Sequence, residues 1–321
     1  VNIAFIIDPI TKLDPTHDST VAMMEAAQHR GHTLWITTMD SLTVKTGEPW
    51  AQLTPVTLDP VQLVDGHWQA PEPWYRLGQP VFQSLTTMDV VMMRQDPPVT
   101  IPYLYVTQIL DLLDPSQTLV INRPRGVQAA NEKLYALNFP DAIPTTIVTA
   151  AKSVILDFLA EQGAVVLKPL AGKGGEGILF LKEGDRNTNS LIELSTQWGT
   201  MPVMLQQYLP AATEGDKRII LLDGEAIGAV NRIPTGTDFR GNMAVGGRVA
   251  AIDITPREQE ICAMVAPRLK ADGLYFVGLD VIGGYLTEVN VTSPTGIREI
   301  DRLNGVSLGD QVIAGLEQKR S

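Results

Sequence analysis

Leu167-Lys168-Pro169-Leu170-Ala171-Gly172-Lys173-Gly174-Gly175-Glu176-Gly177 is the stretch on which the reading of the fold turns. Gly172, Gly174 and Gly177 meet the spacing G-x-G-x-x-G, a weak signal taken alone. Its flanks separate three contexts. A dinucleotide-binding turn needs a strand before and a helix after, but Ile178-Leu179-Phe180-Leu181 reads as a strand. A Walker A loop needs Ser or Thr after Gly-Lys, and Lys173 is followed by Gly174. A protein kinase carries its lysine on the strand after the loop, whereas Lys168 lies on the strand before it. What remains is strand, lysine, glycine loop, strand. Glycines let backbone N–H groups approach phosphate oxygens unobstructed, and Lys168 would set its ammonium on the same oxygens. A flexible glycine hairpin with Lys168 at a strand end is the plain alternative.

The second informative stretch is Gly278-Leu279-Asp280-Val281-Ile282-Gly283-Gly284-Tyr285-Leu286-Thr287-Glu288-Val289-Asn290-Val291. Glu288 and Asn290 are two apart on a strand and so share a face. Leu286 and Val289 do not fit one alternation, which predicts burial on both sides. A carboxylate and an amide oxygen in so apolar a strand need a reason. Hard oxygen ligands for Mg²⁺ that also touch phosphate supply one. Asp280 joins them only in one register. A two-residue turn at Gly283-Gly284 pairs Asp280 with Thr287. A three-residue connection, Gly283 to Tyr285, pairs it with Glu288. The need to gather ligands favours the second. A solvated hairpin edge with unrelated carboxylates is the alternative.

Between these stretches, Arg232 to Arg248 carries four glycines and no clear periodicity. Loops of this length are usually functional or disordered. A lid that excludes water from a reactive intermediate is one use for it. Arg232, Arg240 and Arg248 could pair with carboxylates or phosphates through bidentate hydrogen bonds, and Arg248 is counted among substrate-binding candidates. Ser293-Pro294-Thr295-Gly296-Ile297-Arg298 follows the carboxylate strand. It offers hydroxyls, amides and an arginine to a substrate carboxylate, or is simply a polar turn before the last helices.

Further outward, the first third alternates strand and helix. Strands are expected over 1–7, 34–38, 89–93 and 119–122. Helices are expected from Asp18-Ser19 to Arg30 and over 103–113. This pattern argues a parallel α/β domain. Residues 43–80 fit no pattern. Residues 126–139 read as a helix carrying Asn131-Glu132-Lys133. Beyond it strands come in hairpins, 165–169 with 178–182, 218–222 with 226–230, and 276–282 with 286–291, an α+β character. Asp223-Gly224 is a strong hairpin signal. Thr255-Pro256-Arg257-Glu258 reads as a capping box opening a helix to about Ala271. The domain boundary falls near residue 124.

Composition bounds the function. The 321 residues are 44% hydrophobic and 19% charged, as expected of a folded chain of roughly two domains. A net charge of −11 disfavours nucleic-acid binding. No apolar run approaches the roughly 20 residues of a membrane helix. The apolar start, which holds Asp8, reads as a buried strand rather than a leader. The single cysteine, Cys262, excludes an internal disulfide and points to a reducing, cytoplasmic setting. It reads as core filler. Catalytic serine, cysteine or histidine is not evident.

Strand, lysine, glycine loop, strand is the arrangement of the ATP-grasp fold. Asp8-Pro9, Met93-Arg94-Gln95-Asp96-Pro97-Pro98, Asn131-Glu132-Lys133, Leu167-Lys168-Pro169-Leu170, Gly215-Asp216-Lys217-Arg218, Arg232-Ile233-Pro234, Arg240-Gly241-Asn242, Gly246-Gly247-Arg248, Val277-Gly278-Leu279-Asp280 and Glu288-Val289-Asn290-Val291-Thr292-Ser293-Pro294-Thr295 follow in order. Together they resemble the prokaryotic glutathione synthetase family over nearly the whole chain. The resemblance implies a substrate-binding parallel-sheet domain over 1–124. It also implies an ATP-grasp region over 125–321, built of two antiparallel-sheet subdomains of about 125–205 and 206–321. It implies an ATP-dependent ligase that activates γ-glutamylcysteine as an acyl phosphate for attack by glycine. Lys133, Lys168, Gly172, Gly174, Gly175 and Gly177 would then hold the phosphates of ATP, and Gln206, Gln207, Tyr208 and Leu209 its adenine. Asp280, Glu288 and Asn290 would bind Mg²⁺, as one ion or two, with Mn²⁺ as a substitute. Arg218 and Arg232 would stabilise the transferring phosphoryl group, and Arg94, Ser293 and Thr295 would seat the peptide. A homo-oligomer, a tetramer, is implied as well. Lys173 and Glu176 depart from the family pattern. Two alternatives share most of these residues: another ATP-grasp ligase, acting on D-alanine or a protein tail, and a non-catalytic nucleotide- or solute-binding protein.

Overall fold

Continuous apolar runs bury on both faces in the first sheet. The computed structural model describes residues 1–172, 174–235 and 248–320. Lys173 and the middle of the expected lid, with Arg240, lie outside the described residues. In the N-terminal sheet the strands Leu119–Ile121, Val90–Met93, Asn2–Ile6 and Thr33–Thr37 lie parallel in that order. Asp18 caps the helix Ser19–His29 by accepting from the amides of Thr20 and Val21 at 2.6 and 3.2 Å, a standard N-cap. The stretch that resisted reading adds antiparallel strands to the open edge. Glu48–Leu58 pairs with Thr33–Thr37 and takes Thr43–Lys45, Tyr75–Leu77 and Val81–Ser84 as partners. Pro49 and Pro55 inside it argue against a strand in sequence.

The middle of the chain forms a four-stranded antiparallel sheet in the order Thr146–Thr149, Val203–Gln207, Ala164–Pro169, Leu179–Lys182. Its core is its own. Ile155, Phe158, Leu159, Val165, Leu167, Leu181, Ile192, Val203 and Leu205 form a cluster with no member outside 155–205.

A five-stranded antiparallel sheet follows, in the order Arg248–Ala251, Glu225–Ile233, Asp216–Leu222, Phe276–Ile282, Tyr285–Asn290. The capping box at Thr255 and Glu258 opens the helix Pro256–Asp272 as read, and Gly273 closes it in the left-handed region. Cys262 is buried in this helix, where desolvation pushes its thiol up to about 11. This sheet does not stand apart from the first. Ile220, Val230 and Phe276 share one apolar cluster with Ile3, Phe5 and Met92. The final helix, Leu308–Arg320, returns to pack on Ser19–His29. Gly309 makes that approach possible, since a Cβ there would come within 2.8 Å of the Ala22 carbonyl oxygen. Asn122 pins the two sheets together. Its amide donates to the carbonyls of Phe276 and Val291 at 2.9 and 2.7 Å and accepts from the N–H groups of Tyr275 and Phe276 at 2.8 Å.

Two local readings are corrected. The helix expected over 126–139 is two pieces, Pro124–Ala129 and a 3₁₀ turn Leu134–Asn138. Asn131 divides them, because its Oδ1 accepts from the amides of Lys133 and Leu134 at 3.1 and 3.0 Å and supports a turn instead. The hairpin 276–290 pairs Asp280 with Glu288 as expected, but not through a three-residue connection. Ile282 faces Tyr285 and Val281 faces Leu286 across a two-residue Gly283-Gly284 turn, and the register shifts between Asp280 and Val281. Thr287 is the extra residue of a β-bulge, which restores Glu288 to the level of Asp280.

Candidate active site

The sheets 146–207 and 216–290 face each other across a cleft of about 720 Å³, counting the space open to solvent. Val166, Lys168, Gln206, Gln207, Tyr208 and Leu209 line it from the first sheet and the segment leaving it. Asp216, Asp280, Ile282, Thr287 and Glu288 line it from the second. Residues read from two separate stretches of sequence therefore meet in one place.

On the first wall, Lys168 lies one residue before the end of its strand and donates to Gln206 Oε1 at 2.6 Å. Burial pulls its ammonium below the ordinary lysine range, and neighbouring Lys133 pulls the same way against Glu288. Gln206 is held in turn by donating to Thr146 Oγ1 at 3.2 Å. Tyr208 stacks edge-on against Phe180 with centroids 4.8 Å apart. The glycine loop lies between the strands Ala164–Pro169 and Leu179–Lys182. Gly177 lies at φ +67°, and a Cβ there would meet Pro169 Cγ at 2.9 Å, so both backbone and space demand glycine.

On the second wall, Asp280 is a node. Arg218 grips both its oxygens, with Nη2 at 3.0 Å from Oδ2. Arg232 Nη2 lies 3.0 Å from the same Oδ2 and 2.6 Å from Asp216 Oδ2. Burial alone would raise the Asp280 carboxyl, but Arg218 and Arg232 hold it well below the usual carboxylate range. Burial likewise works against the charge on Arg232, yet Asp216 and Asp280 keep it above its ordinary value. Asp216 goes the other way. Desolvation outweighs Arg232 and pushes it up to about 6, and its buried Oδ1 has no partner among the described residues. Lys133 crosses from the turn at 131–133 to place its Nζ 2.9 Å from Glu288 Oε1 and 3.0 Å from the Gly172 carbonyl oxygen. The side-chain contacts thus form three groups around the cleft: Lys168 with Gln206, Lys133 with Glu288, and Arg218 and Arg232 with Asp280 and Asp216. Asn290 donates its Nδ2 to the Gly278 carbonyl at 3.2 Å, which leaves its Oδ1 as the ligand atom. Two carboxylates and an amide oxygen suit a hard cation. An ion there would share Asp280 and Glu288 with their cationic partners.

The remaining candidates divide. Arg94 is buried where the N-terminal domain meets the loop after Asn290. It donates to Thr20 Oγ1 at 3.1 Å and to the Pro294 carbonyl at 3.0 Å, with its guanidinium 5.5 Å from the Phe276 ring. Its Nη1 is buried without a partner among the described residues, and burial lowers its pKa. Ser293 donates to the Arg94 carbonyl at 3.2 Å, and the Thr295 carbonyl accepts from Arg218 Nη1 at 3.2 Å. Arg94, Ser293 and Thr295 are therefore neighbours. Arg298 is not with them. It donates to Glu25 at 2.7 Å and lies over Trp68, so it ties the last helices to the N-terminal domain instead. Arg248 is exposed at the start of its edge strand. Asp216 had no role in the sequence reading, although Gly215-Asp216-Lys217-Arg218 was singled out. The only signal for it was its place two residues before Arg218, on the same strand face.

The prokaryotic glutathione synthetase N-terminal domain matches residues 1–128, and the prokaryotic glutathione synthetase ATP-grasp domain matches 132–305. Glutathione synthetase of Thermosynechococcus vestitus is 65% identical over 98% of this chain and 99% of its own length. That of Brucella melitensis is 43% identical over 100% and 99%. Among solved structures, the D-cycloserine synthetase DcsG covers both chains fully with a TM-score of 0.68 at 16% identity. The macrocyclase MdnC of Microcystis aeruginosa reaches 0.65 at 13%, over 99% of this chain and 100% of its own. These two likenesses show the ATP-grasp fold alone. Family matches and relatives cover nearly the whole chain, and the chain belongs to the prokaryotic glutathione synthetase family.

Proposed function

We propose that the chain joins γ-glutamylcysteine to glycine with cleavage of ATP to ADP and phosphate. One observation carries the reading. Lys133 and Lys168 converge from one side on the Asp280–Glu288 wall, where Arg218 and Arg232 already stand. A carboxylate is a poor electrophile and must be activated. Its oxygen takes the γ-phosphoryl group of ATP, and ADP leaves. The amine of glycine then adds to the acyl phosphate, loses a proton, and expels phosphate. Catalysis of such transfer is positioning and charge stabilisation, which needs cations and fixed dipoles rather than a nucleophilic side chain.

The residues divide this work. Lys133, Lys168 and the amides of Gly172, Gly174, Gly175 and Gly177 hold phosphate oxygens. Val166, Ile178 and Leu209 provide an apolar slot for a flat base, with Gln206, Gln207 and Tyr208 at its edge. Asp216, beside them, offers a carboxylate to hydroxyl groups. Asp280, Glu288 and Asn290 hold Mg²⁺, which when bound neutralises charge on the phosphates. Arg218 and Arg232, both paired with Asp280, stabilise the group in flight. Arg94, Ser293 and Thr295 seat the peptide. We assign 1–124 as the substrate-binding domain and 125–321 as the ATP-grasp region. We also propose a cytoplasmic homo-tetramer, on the lone buried Cys262 and the family resemblance.

The test is ADP release with ATP and Mg²⁺. Release is expected only with γ-glutamylcysteine and glycine together. Release with D-alanine alone would keep the fold and overturn the substrate.

A further inference from the structure

Lys133 has its place in the nucleotide site, but its two neighbours have none. Asn131 and Glu132 sit on the turn that interrupts the expected helix, and both are committed to other parts of the active site. Asn131 Nδ2 donates to the Leu170 carbonyl at 2.9 Å, at the root of the glycine loop. Glu132 faces the opposite way. Its main-chain carbonyl accepts from Val289 N at 2.9 Å. Its Oε1 accepts from Val291 N at 2.9 Å, Thr292 N at 3.1 Å and Thr292 Oγ1 at 2.8 Å. Burial and neighbouring Glu288 raise this carboxyl, and its three hydrogen bonds on one oxygen work against that shift. Those bonds fix the chain where it leaves the Glu288–Asn290 strand and enters the Ser293–Thr295 loop.

Two adjacent residues thus hold the glycine loop on one side and the substrate loop on the other. We propose that Asn131 and Glu132 are positioning residues that couple nucleotide binding to dipeptide binding. Glu132 holds the Val291–Thr295 segment in its binding shape, and Asn131 ties that shape to the glycine loop. Coupling of this kind is reciprocal, so each ligand tightens the other by the same factor. The inference rests on the dipeptide reading above.

The test measures the Kd of γ-glutamylcysteine with and without saturating Mg²⁺ and a non-hydrolysable ATP analogue. The wild-type chain is expected to bind the dipeptide roughly tenfold tighter with the analogue present. Asn131→Asp keeps the Oδ1 that caps Lys133 and Leu134 but loses the donor to Leu170. It should leave dipeptide affinity alone unchanged and abolish the tightening. Glu132→Ala should weaken the dipeptide in both conditions, with analogue affinity measured alone unchanged. Glu132→Gln keeps an acceptor oxygen and should recover most of the loss, which a general loosening of the fold would not show. If Glu132→Ala does not fold, Thr292→Val, which deletes one donor, should show the same pattern at smaller size. Wild-type coupling in Asn131→Asp, equal loss of both ligands in Glu132→Ala, or no recovery in Glu132→Gln overturns the proposal. A wild-type chain that turns over without any coupling overturns it alone. One that neither binds nor turns over the dipeptide overturns the functional reading with it.

Discussion

Glu288 and Asp280 both line the cleft, yet their surroundings differ. Asp280 is locked by two arginines, while Glu288 is half-buried and, among the described residues, held by Lys133. Glu288→Gln is therefore expected to fold normally and to lose ADP release by roughly 10²-fold or more, since charge placement is the main catalytic device here. Steady-state assay beside a melting curve checks both halves. Asp301 gives a prediction far from the cleft. Burial raises its carboxyl to about 6, against the amide of Leu308, which it accepts at 2.8 Å. Its folded pKa thus lies above its unfolded one. The folded state holds a proton that the unfolded chain releases, so this group's contribution fades as pH rises from about 4 to 6. Asp301→Asn keeps the acceptor and should flatten that part of the pH–stability curve. At this scale the sequence revealed the residues whose chemistry is unusual for their place. Lys168 beside glycines and Glu288 in an apolar strand are such cases. Asp216, Asn131 and Glu132 were passed over as residues with a role. Nothing in the chain order says that their partners lie 16, 39 or 160 positions away.

Elements were legible where one local rule governs them. The capping box at Thr255 and the stop at Gly273 depend only on neighbours. Thr255→Ala should cost about 1 kcal/mol in denaturant unfolding. The hairpin 276–290 shows the limit. Its pairing of Asp280 with Glu288 followed from the need to gather ligands, but the means did not. A bulge at Thr287 achieves the register with a two-residue turn, and no sequence spacing distinguishes that from a longer turn. The edge strands within 43–84 were hidden for another reason. They are short, exposed or interrupted by proline, so their pairing depends on the long strand Glu48–Leu58 rather than on themselves.

Over the whole molecule, the boundary proposed at 124 coincides with a change in sheet type rather than a separation of cores. The first and last sheets share apolar clusters, and the final helix closes back on the first. Asn122 is the visible rivet. Asn122→Ala removes four buried hydrogen bonds and should cost about 3 kcal/mol or more, read as a lower midpoint with unchanged slope in denaturant. This long-range return of the chain was not legible, because hydrophobic pattern identifies a buried face but not what covers it. The sheet of 146–207 is the exception, with an apolar cluster drawn from its own strands and the helices Lys152–Gln162 and Thr188–Ser195 between them. That privacy has an energetic consequence. A unit whose apolar contacts are internal can open without the rest. Amide hydrogens across 146–207 should therefore exchange together, at a lower free energy than those of Asn2–Ile6 or Phe276–Ile282. Ile192→Ala, expected to cost about 2–4 kcal/mol, should accelerate that one group and leave the others slow. Each such opening would bare the Lys168 wall while the carboxylates opposite stay fixed.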